Sequence, residues 1–340
     1  MTNYVIYETD SHEHNASSKA RLDVAAIAER HGWTKLPVER MYPDKKFAAF
    51  KPVIKDWIRV ARTVKPGDAL LIQYPLDTYL NVSLAVAPIV AKLHHDGVKI
   101  IYLIHDLDSL RGREKRFEKA FLPLGDVIIA HNDQMQAWIQ QENYPAKVLS
   151  LDIFDYLVPT QYEIHQPGHG IDIAGNLNHK KAGYIYQLAQ IEPNADLNLY
   201  GPNFDARSPA SKWYKGEFTP EELLSHLEGL FGLVWDGSSL SMGENTYGSY
   251  LRYNNPHKLS LYLAANKPVL IWNNAAEASF VREHGCGLTI DSIDDGLRQV
   301  QQLRSSDIER LLHNAAAVGS QLRAGHYTTV ALDEALEILQ

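Results

Sequence analysis

Twice along these 340 residues, short apolar runs rich in β-branched and aromatic residues alternate with longer stretches of helical period. Strands that alternate with helices in this way are buried on both faces, which constrains the chain to parallel sheets covered by helices. In the first half the runs predict strands at Tyr4 to Glu8, Ala69 to Tyr74, Ile100 to His105 and Val127 to His131, with a weaker one from Lys147 to Phe154. In the second half they predict strands at Gly170 to Ala174, Asp196 to Tyr200, Phe231 to Trp235, Pro268 to Trp272 and Gly287 to Ile290. Among the helical stretches are Phe47 to Thr63, Pro220 to Leu230 and Pro256 to Ala265. Between the halves, the polar stretch DYLVPTQYEIHQPGHG (Asp155 to Gly170) carries two prolines, which neither continue a helix nor join a central strand, and it reads as a linker. The length also exceeds the usual size of one hydrophobic core. The expected division is 1–158, 159–325 and a final helix, 326–340, packing back across the hinge.

A formal charge of −8 argues against nucleic acid as the main partner, because a phosphate-tracking surface carries clustered excess cations. Cys286 is the single cysteine, so an intrachain disulfide and a cysteine-based zinc site are both excluded. The first strand begins within a few residues of Met1 and no apolar run reaches membrane-spanning length, so the expected location is the cytoplasm. Neither a Walker motif nor GxGxxG is present. The histidine pairs at His12 and His14 and at His94 and His95 lack the spacing of HExxH, and no metal is expected.

In parallel sheets, ligands bind beyond the carboxyl ends of the strands, so polar residues there are the candidates. The most informative segment runs from Asp236 to Trp272: a strand, a Gly- and Ser-rich loop, then a helix entered at NNPHK. Asn255 as cap and Pro256 at the first helical position would aim free amides at a diphosphate, with Lys258 adding a full charge. In GIDIAGNLNHKK, Gly175 and Asn176 allow close approach of backbone. Lys180 and Lys181 in the first helical turn oppose the macrodipole unless an anion is near, although a solvated lysine pair is the alternative. Tyr200 ends a strand where its ring could stack on a base or serve the core, and Asp236 ends another. In the first half, Ser17, Ser18 and Arg21 stand at the turn into the first helix. His105 and Asp106 follow a strand, where either could take a proton from an attacking hydroxyl or simply orient the loop.

Six segments carry a resemblance: SKARLD (Ser18 to Asp23), IHD (Ile104 to Asp106), AGN (Ala174 to Asn176), YGP (Tyr200 to Pro202), VWDG (Val234 to Gly237) and NNPHKLSLYLAANKPV (Asn254 to Val269). The chain resembles the bacterial glucosyltransferases that add the second sugar to O-linked GlcNAc on serine-rich-repeat adhesins, a family also described as galactofuranosyltransferase-like. The resemblance implies an α/β fold of GT-B type, two Rossmann-like domains facing across a cleft with the C-terminal helix returning to the N-terminal one. It implies a UDP-sugar donor held mainly by the second half, a GlcNAc-modified Ser/Thr-rich protein acceptor held by the first, no metal or other cofactor, and a homo-oligomer, with a tetramer expected. On that basis Lys258, Tyr200, Asn255 and Lys180 or Lys181 are UDP contacts, and Arg21 with Ser17 or Ser18 meets the donor from across the cleft. The expected reaction moves glucose from UDP-glucose to O-linked GlcNAc, with UDP-GlcNAc as the alternative donor and an inactive nucleotide-sugar-binding subunit as the alternative role. One departure stands out: retaining GT-B enzymes carry Glu-x7-Glu, but the eighth residue on from Glu244 is Arg252. A nicotinamide-dependent epimerase is disfavoured, because Tyr253 and Lys258 are five apart and no Gly-rich turn follows the first strand.

Overall fold

The computed structural model describes every residue except 10–15, 40–45, 77–79, 162, 166–167 and 242–245. The strands are β1 (Asn3–Thr9), β2 (Thr34–Glu39), β3 (Ala69–Tyr74), β4 (Lys99–Ile104), β5 (Val127–Ala130) and β6 (Lys147–Ser150), then β7 (Ile171–Ala174), β8 (Leu197–Tyr200), β9 (Tyr214–Gly216), β10 (Phe231–Val234), β11 (Val269–Trp272) and β12 (Gly287–Ile290). The helices are α1 (Ala16–Arg30), α2 (Lys46–Thr63), α3 (Leu80–His95), α4 (Arg116–Phe121), α5 (Asp133–Gln141), α6 (His179–Ile191), α7 (Pro220–Leu223), α8 (Thr246–Tyr250), α9 (His257–Ala264), α10 (Ala278–His284), α11 (Ile293–Gln302), α12 (Ser305–Ala324) and α13 (His326–Ile338).

Two compact units result: Met1–Asp152 with Gly325–Gln340, and Ile153–Ala324. Each contains one six-stranded sheet, ordered β2-β1-β3-β4-β5-β6 in the first and β12-β11-β10-β7-β8-β9 in the second. All these pairings are parallel. The winding reverses between β1 and β3 in one sheet and between β7 and β10 in the other, so each unit has a switch point where a doubly wound sheet leaves a crevice.

The central strands form because they bury every residue: β3 (ALLIQY), β7 (IDIA) and β10 (FGLV) have no exposed position. In the N-terminal unit, α2 anchors through Val53, Trp57 and Val60, spaced to one helical face and, with Val64 just past its end, nearly fully buried in one cluster with Ile6, Leu70 and Ile72. Each such aliphatic or aromatic side chain contributes roughly 1.5–3 kcal/mol of transfer free energy. The C-terminal helix α13 packs on α1, β5 and β6 within this unit, and His31 Nε2 meets Asp333 Oδ1 at 2.7 Å.

Elements that the periodicity leaves unread are short or at an edge. Strand β2, TKLPVE, is the outermost of its sheet and contains Pro37, which an edge strand tolerates because the ladder needs no N–H there. Three-residue β9 is likewise an edge. The helix expected from Pro220 to Leu230 stops at Leu223: the capping box of Thr219 and Glu222 starts it, and turns follow before β10.

The residues from Ile153 pack into the C-terminal unit. Tyr156 is 1% exposed, its N–H donates to the Leu322 carbonyl at 3.2 Å and its hydroxyl to that of Pro220 at 2.8 Å. Ser260 Oγ of α9 donates to the Phe154 carbonyl at 2.6 Å. Beneath the sheet, at the amino ends of its strands, Asp172 and Lys267 form a buried ion pair at 3.4 Å. Asp172 also accepts from Asn198 Nδ2 at 3.0 Å and the Gly229 N–H at 2.8 Å, while Lys267 donates to the Gly229 carbonyl. Burial pushes the Asp172 carboxyl up and the Lys267 ammonium down, and the mutual attraction opposes both shifts.

Candidate functional site

The switch point of the C-terminal unit is held open by one aromatic side chain. Strands β7 and β10 pair only at Ile171 with Phe231 and Asp172 with Gly232, whereas β7 stays paired with β8 as far as Ala174 with Tyr200. Tyr262 of α9 fills the gap: a Cβ on Gly232 would lie 2.0 Å from its ring, and its hydroxyl accepts the Ala174 N–H at 2.7 Å. The strand amide that would otherwise close the ladder is thereby satisfied by a side chain.

Two loops and one helix end border this gap. Gly175 follows β7 with φ +130°, a conformation that side-chain-bearing residues rarely adopt, and the space where its Cβ would stand is empty to 4 Å. Gly237 follows β10, and its N–H donates to the Lys181 carbonyl at 2.7 Å. That contact coincides with a break in α6 at Ala182 (φ −132°, ψ 32°), so the first turn of α6 is tied to the β10 loop. From α9, Lys258 Nζ donates to the Trp235 carbonyl and to Asp236 Oδ1, both at 2.9 Å. Both side chains of this ion pair are about five-sixths buried, at 16% and 15% exposure.

Helix α9 is fixed along its length, which is what places Lys258. Ser260 and Tyr262 make the contacts already described, and Arg323 Nη1 of α12 donates to the Ala264 carbonyl at 2.6 Å and to Asn266 Oδ1 at 2.9 Å. A cation there satisfies orphan carbonyls and complements the negative helix end.

Several expected contacts take a different form. The cap of α9 is Pro256, with no side-chain cap bond, so Asn255 does not cap the helix; it is buried one residue earlier. Proline locked near φ −72° serves as the turn into the helix, which displaces the start by one residue. At α6 the amides of Lys180 and Lys181 already donate to Asn178 Oδ1, at 3.0 and 2.9 Å, so they are taken by the chain itself; Asn176 Oδ1 accepts the Asn178 N–H at 3.1 Å. Lys180 is exposed and Lys181 half-buried. Tyr200 is 1% exposed, and its hydroxyl accepts the Glu228 N–H at 3.1 Å, so its ring belongs to the core and offers no face to a base. A strand-terminal aromatic can point into either layer, and this one points down toward Asp172, whose charge adds to burial in pushing the phenol up.

In the N-terminal unit the corresponding strand ends are occupied by side chains. Arg21 is 6% exposed; Nη1 donates to Glu8 Oε2 at 2.9 Å and the Gln73 carbonyl at 3.1 Å, and Nη2 to the Pro75 carbonyl at 2.5 Å. The guanidinium, expected on a phosphate, here braces β1 against β3. Ser18 is buried in α1, and the side chain of Ser17 lies outside what the structure describes. Gln73 Nε2 donates to the Arg21 carbonyl at 3.1 Å, which leaves Gln73 Oε1 to accept from His105 Nε2 at 2.8 Å. Asp106 pairs with Arg111 at 2.6 Å, and Asp108 with Arg113 at 3.3 Å. The Asp106-Leu107-Asp108 carboxylates thus each meet an arginine, and among the described residues no group of three metal-ligating side chains occurs. His12 and His14 lie outside the described residues, and His94 faces Asp126 at 3.6 Å.

Two residues that the pattern did not single out, Tyr262 and Glu118, shape these ends together with Gln73, which it marks as a polar strand end. Tyr262 reads in the sequence as one more apolar helix position, Gln73 as a polar strand end, and Glu118 as a solvated helix residue. Glu118 is instead fully buried and accepts the Ser109 N–H at 2.8 Å, holding the loop that bears Asp106; burial pushes its carboxyl up. His131 is also buried, and desolvation lowers it to about 3 despite hydrogen bonds to the main chain of His105 and Ile104. At the position where Glu-x7-Glu would put its second carboxylate, the Arg252 guanidinium lies over the Trp272 ring, 4.8 Å from its centroid.

Two doubly wound units in one chain are the arrangement of the GT-B fold. The solved α-glucosyltransferase in complex with UDP has this fold, with a TM-score of 0.61 over all of both chains at 13% identity. The sequence relationship is narrower. Residues 2–153 match the N-terminal domain, and 171–335 the C-terminal domain, of the Glucosyltransferase 3-like family, to which the chain belongs. It is 32% identical over 249 residues to the β-1,6-galactofuranosyltransferase WbbI of Escherichia coli (strain K12), covering 71% of this chain and 72% of that one. It is 24% identical over 289 residues to Glucosyltransferase 3 of Streptococcus gordonii, covering 82% and 83%.

Proposed function

We propose that the open strand ends of the C-terminal unit hold the diphosphate of a UDP-linked sugar, and that the sugar passes to a hydroxyl of a glycosylated acceptor. The observation that carries this reading is Lys258, held by a clamped helix against the end of β10, next to the strand β7 whose end, Gly175, has empty space on its Cβ side. When the acceptor oxygen bonds to the anomeric carbon, the bond from that carbon to the diphosphate oxygen breaks and negative charge gathers on departing UDP. A preplaced ammonium offsets that charge without a metal. Asp236, a carboxylate beside a dianion, orients Lys258 and does not touch the phosphates. The acceptor proton goes to Asp106, with His105 holding the loop. The choice of nucleotide is supported by the α-glucosyltransferase of the same fold, whose solved complex contains UDP.

For the sugar and acceptor, glucose onto O-linked GlcNAc of a Ser/Thr-rich adhesin is supported by the streptococcal relative, and galactofuranose by the 32% identical one. We place the reaction in the cytoplasm, in a homotetramer that needs no cofactor. Incubation with UDP-glucose, UDP-GlcNAc or UDP-galactofuranose, each with a GlcNAc-bearing peptide, followed by mass measurement, tests this. Gain of one hexose from UDP-glucose, unaffected by chelator, is expected. Gain from UDP-galactofuranose alone selects the second sugar; no gain from any donor while UDP still binds leaves a binding subunit, and loss with chelator restored by Mn²⁺ overturns the metal-free step.

A further inference from the structure

Helix α2 has three faces. Val53, Trp57 and Val60 face the core. One step round, Phe50, Ile54 and Ile58 follow each other at intervals of four and form a ridge, with Phe50 46% and Ile58 41% exposed. Next to the ridge lie Lys51, Lys55, Arg59 and Arg62, all exposed, and ridge and cations line one open groove. A second groove continues past Ile58 and Arg62 to Ile89 and Lys92 of α3. Between residues 51 and 65 there are five lysines and arginines against one acid, Asp56, whose carboxylate meets Arg59 at 3.1 Å. In a chain of net charge −8, this is a marked local reversal of sign.

We infer that α2 docks this protein on an anionic lipid bilayer, with Phe50 and Ile58 entering the headgroup region and the cations meeting lipid phosphates. A helix whose apolar ridge runs beside a cationic strip suits an interface that is apolar on one side and negatively charged at its surface. Nucleic acid would use the cations and leave the exposed phenylalanine and isoleucine in water. No helix among the described residues is long and apolar enough to cross a membrane, so the attachment is peripheral. The inference rests on α2 and is independent of the sugar transferred.

Co-sedimentation of the full chain with vesicles of phosphatidylcholine, or of phosphatidylcholine with about one-third phosphatidylglycerol, tests it. Binding to the anionic vesicles alone, weakened at high salt, is expected. Lys51→Gln with Lys55→Gln lowers the partition coefficient by roughly 25-fold, at about fivefold per cation. Phe50→Ser with Ile58→Ser lowers it as well, and in both variants UDP affinity stays that of the wild type, showing that the protein is folded. Absence of sedimentation with phosphatidylglycerol, equal binding to neutral vesicles, or variants that sediment like the wild type would each overturn the inference. Vesicle binding that is absent, together with a drop in molar mass by light scattering for the serine variant, would reassign the face to contact between copies.

Discussion

Among the described residues, the strand ends of the N-terminal unit are tied together by side chains, whereas those of the C-terminal unit run into glycines and one buried ion pair. In the first, Arg21, Glu8, Gln73 and His105 bond to one another across β1, β3 and β4. In the second, glycines follow β7 and β10, a tyrosine holds these strands apart, and one lysine reaches in from α9. The winding of the two sheets is alike, so topology supplies a crevice and side-chain volume decides whether it stays available. Arg21 and Lys258 are each held by a carboxylate and a main-chain carbonyl, and the proposed function gives only Lys258, which follows the glycine-flanked strands, an anion to meet.

Acid gives the largest expected separation. Burial holds His131 at about 3, against an ordinary value near 6.5, so between these limits the unfolded chain binds a proton that the native one does not. The stability from this group is fully present above about 6.5 and is lost as the pH falls toward 3, by up to roughly 5 kcal/mol at the lower limit. Urea unfolding at pH 7 and pH 4 checks this, with a smaller difference expected for His131→Asn; an unchanged slope would show that the filled end is not where acid acts.

Beneath the open end, Lys267→Met leaves Asp172 buried without its counter-charge and costs about 3–5 kcal/mol. Adding Asp172→Asn recovers most of that loss in the same denaturant titration. At the end of β10, Lys258→Ala lowers kcat/KM by about 10²–10³-fold and, because Asp236 and the Trp235 carbonyl lose their donor, also costs about 1–3 kcal/mol of stability. Arg21→Lys separates the two effects: about 2 kcal/mol of stability is lost, because a lysine cannot span two carbonyls and a carboxylate, while UDP affinity by calorimetry stays within about twofold. If that affinity fell as far as in Lys258→Ala, the contrast between filled and open ends would collapse. Smallest is Tyr262→Phe, which removes the acceptor for the Ala174 N–H, costs about 1 kcal/mol and speeds amide exchange at Ala174.

Much of the architecture was legible without coordinates. Continuous apolar runs set between helical stretches placed the ten strands with aliphatic cores, because a strand covered on both faces is buried at every position, as β3, β7 and β10 are. Edge strands β2 and β9 were illegible because half of such a strand faces water and its composition is that of a loop. At the strand ends, the places of Lys258, Asp236 and Gly175 were legible because each lies within a few residues of a strand end or a helix start. The roles of Arg21 and Tyr200 were not: whether a side chain next to a strand end points inward or outward depends on partners tens of residues away, Gln73 and Pro75 for the one and Glu228 for the other.

The order of residues by itself determined two doubly wound units, their strand ends and the chemical groups that collect there, since periodicity and turn chemistry act over a few neighbours. Tertiary structure alone decided which of those groups neutralise one another and which keep an open face, because burial and hydrogen bonding between residues such as Tyr262 and Ala174 are set by packing across distances the local pattern does not encode.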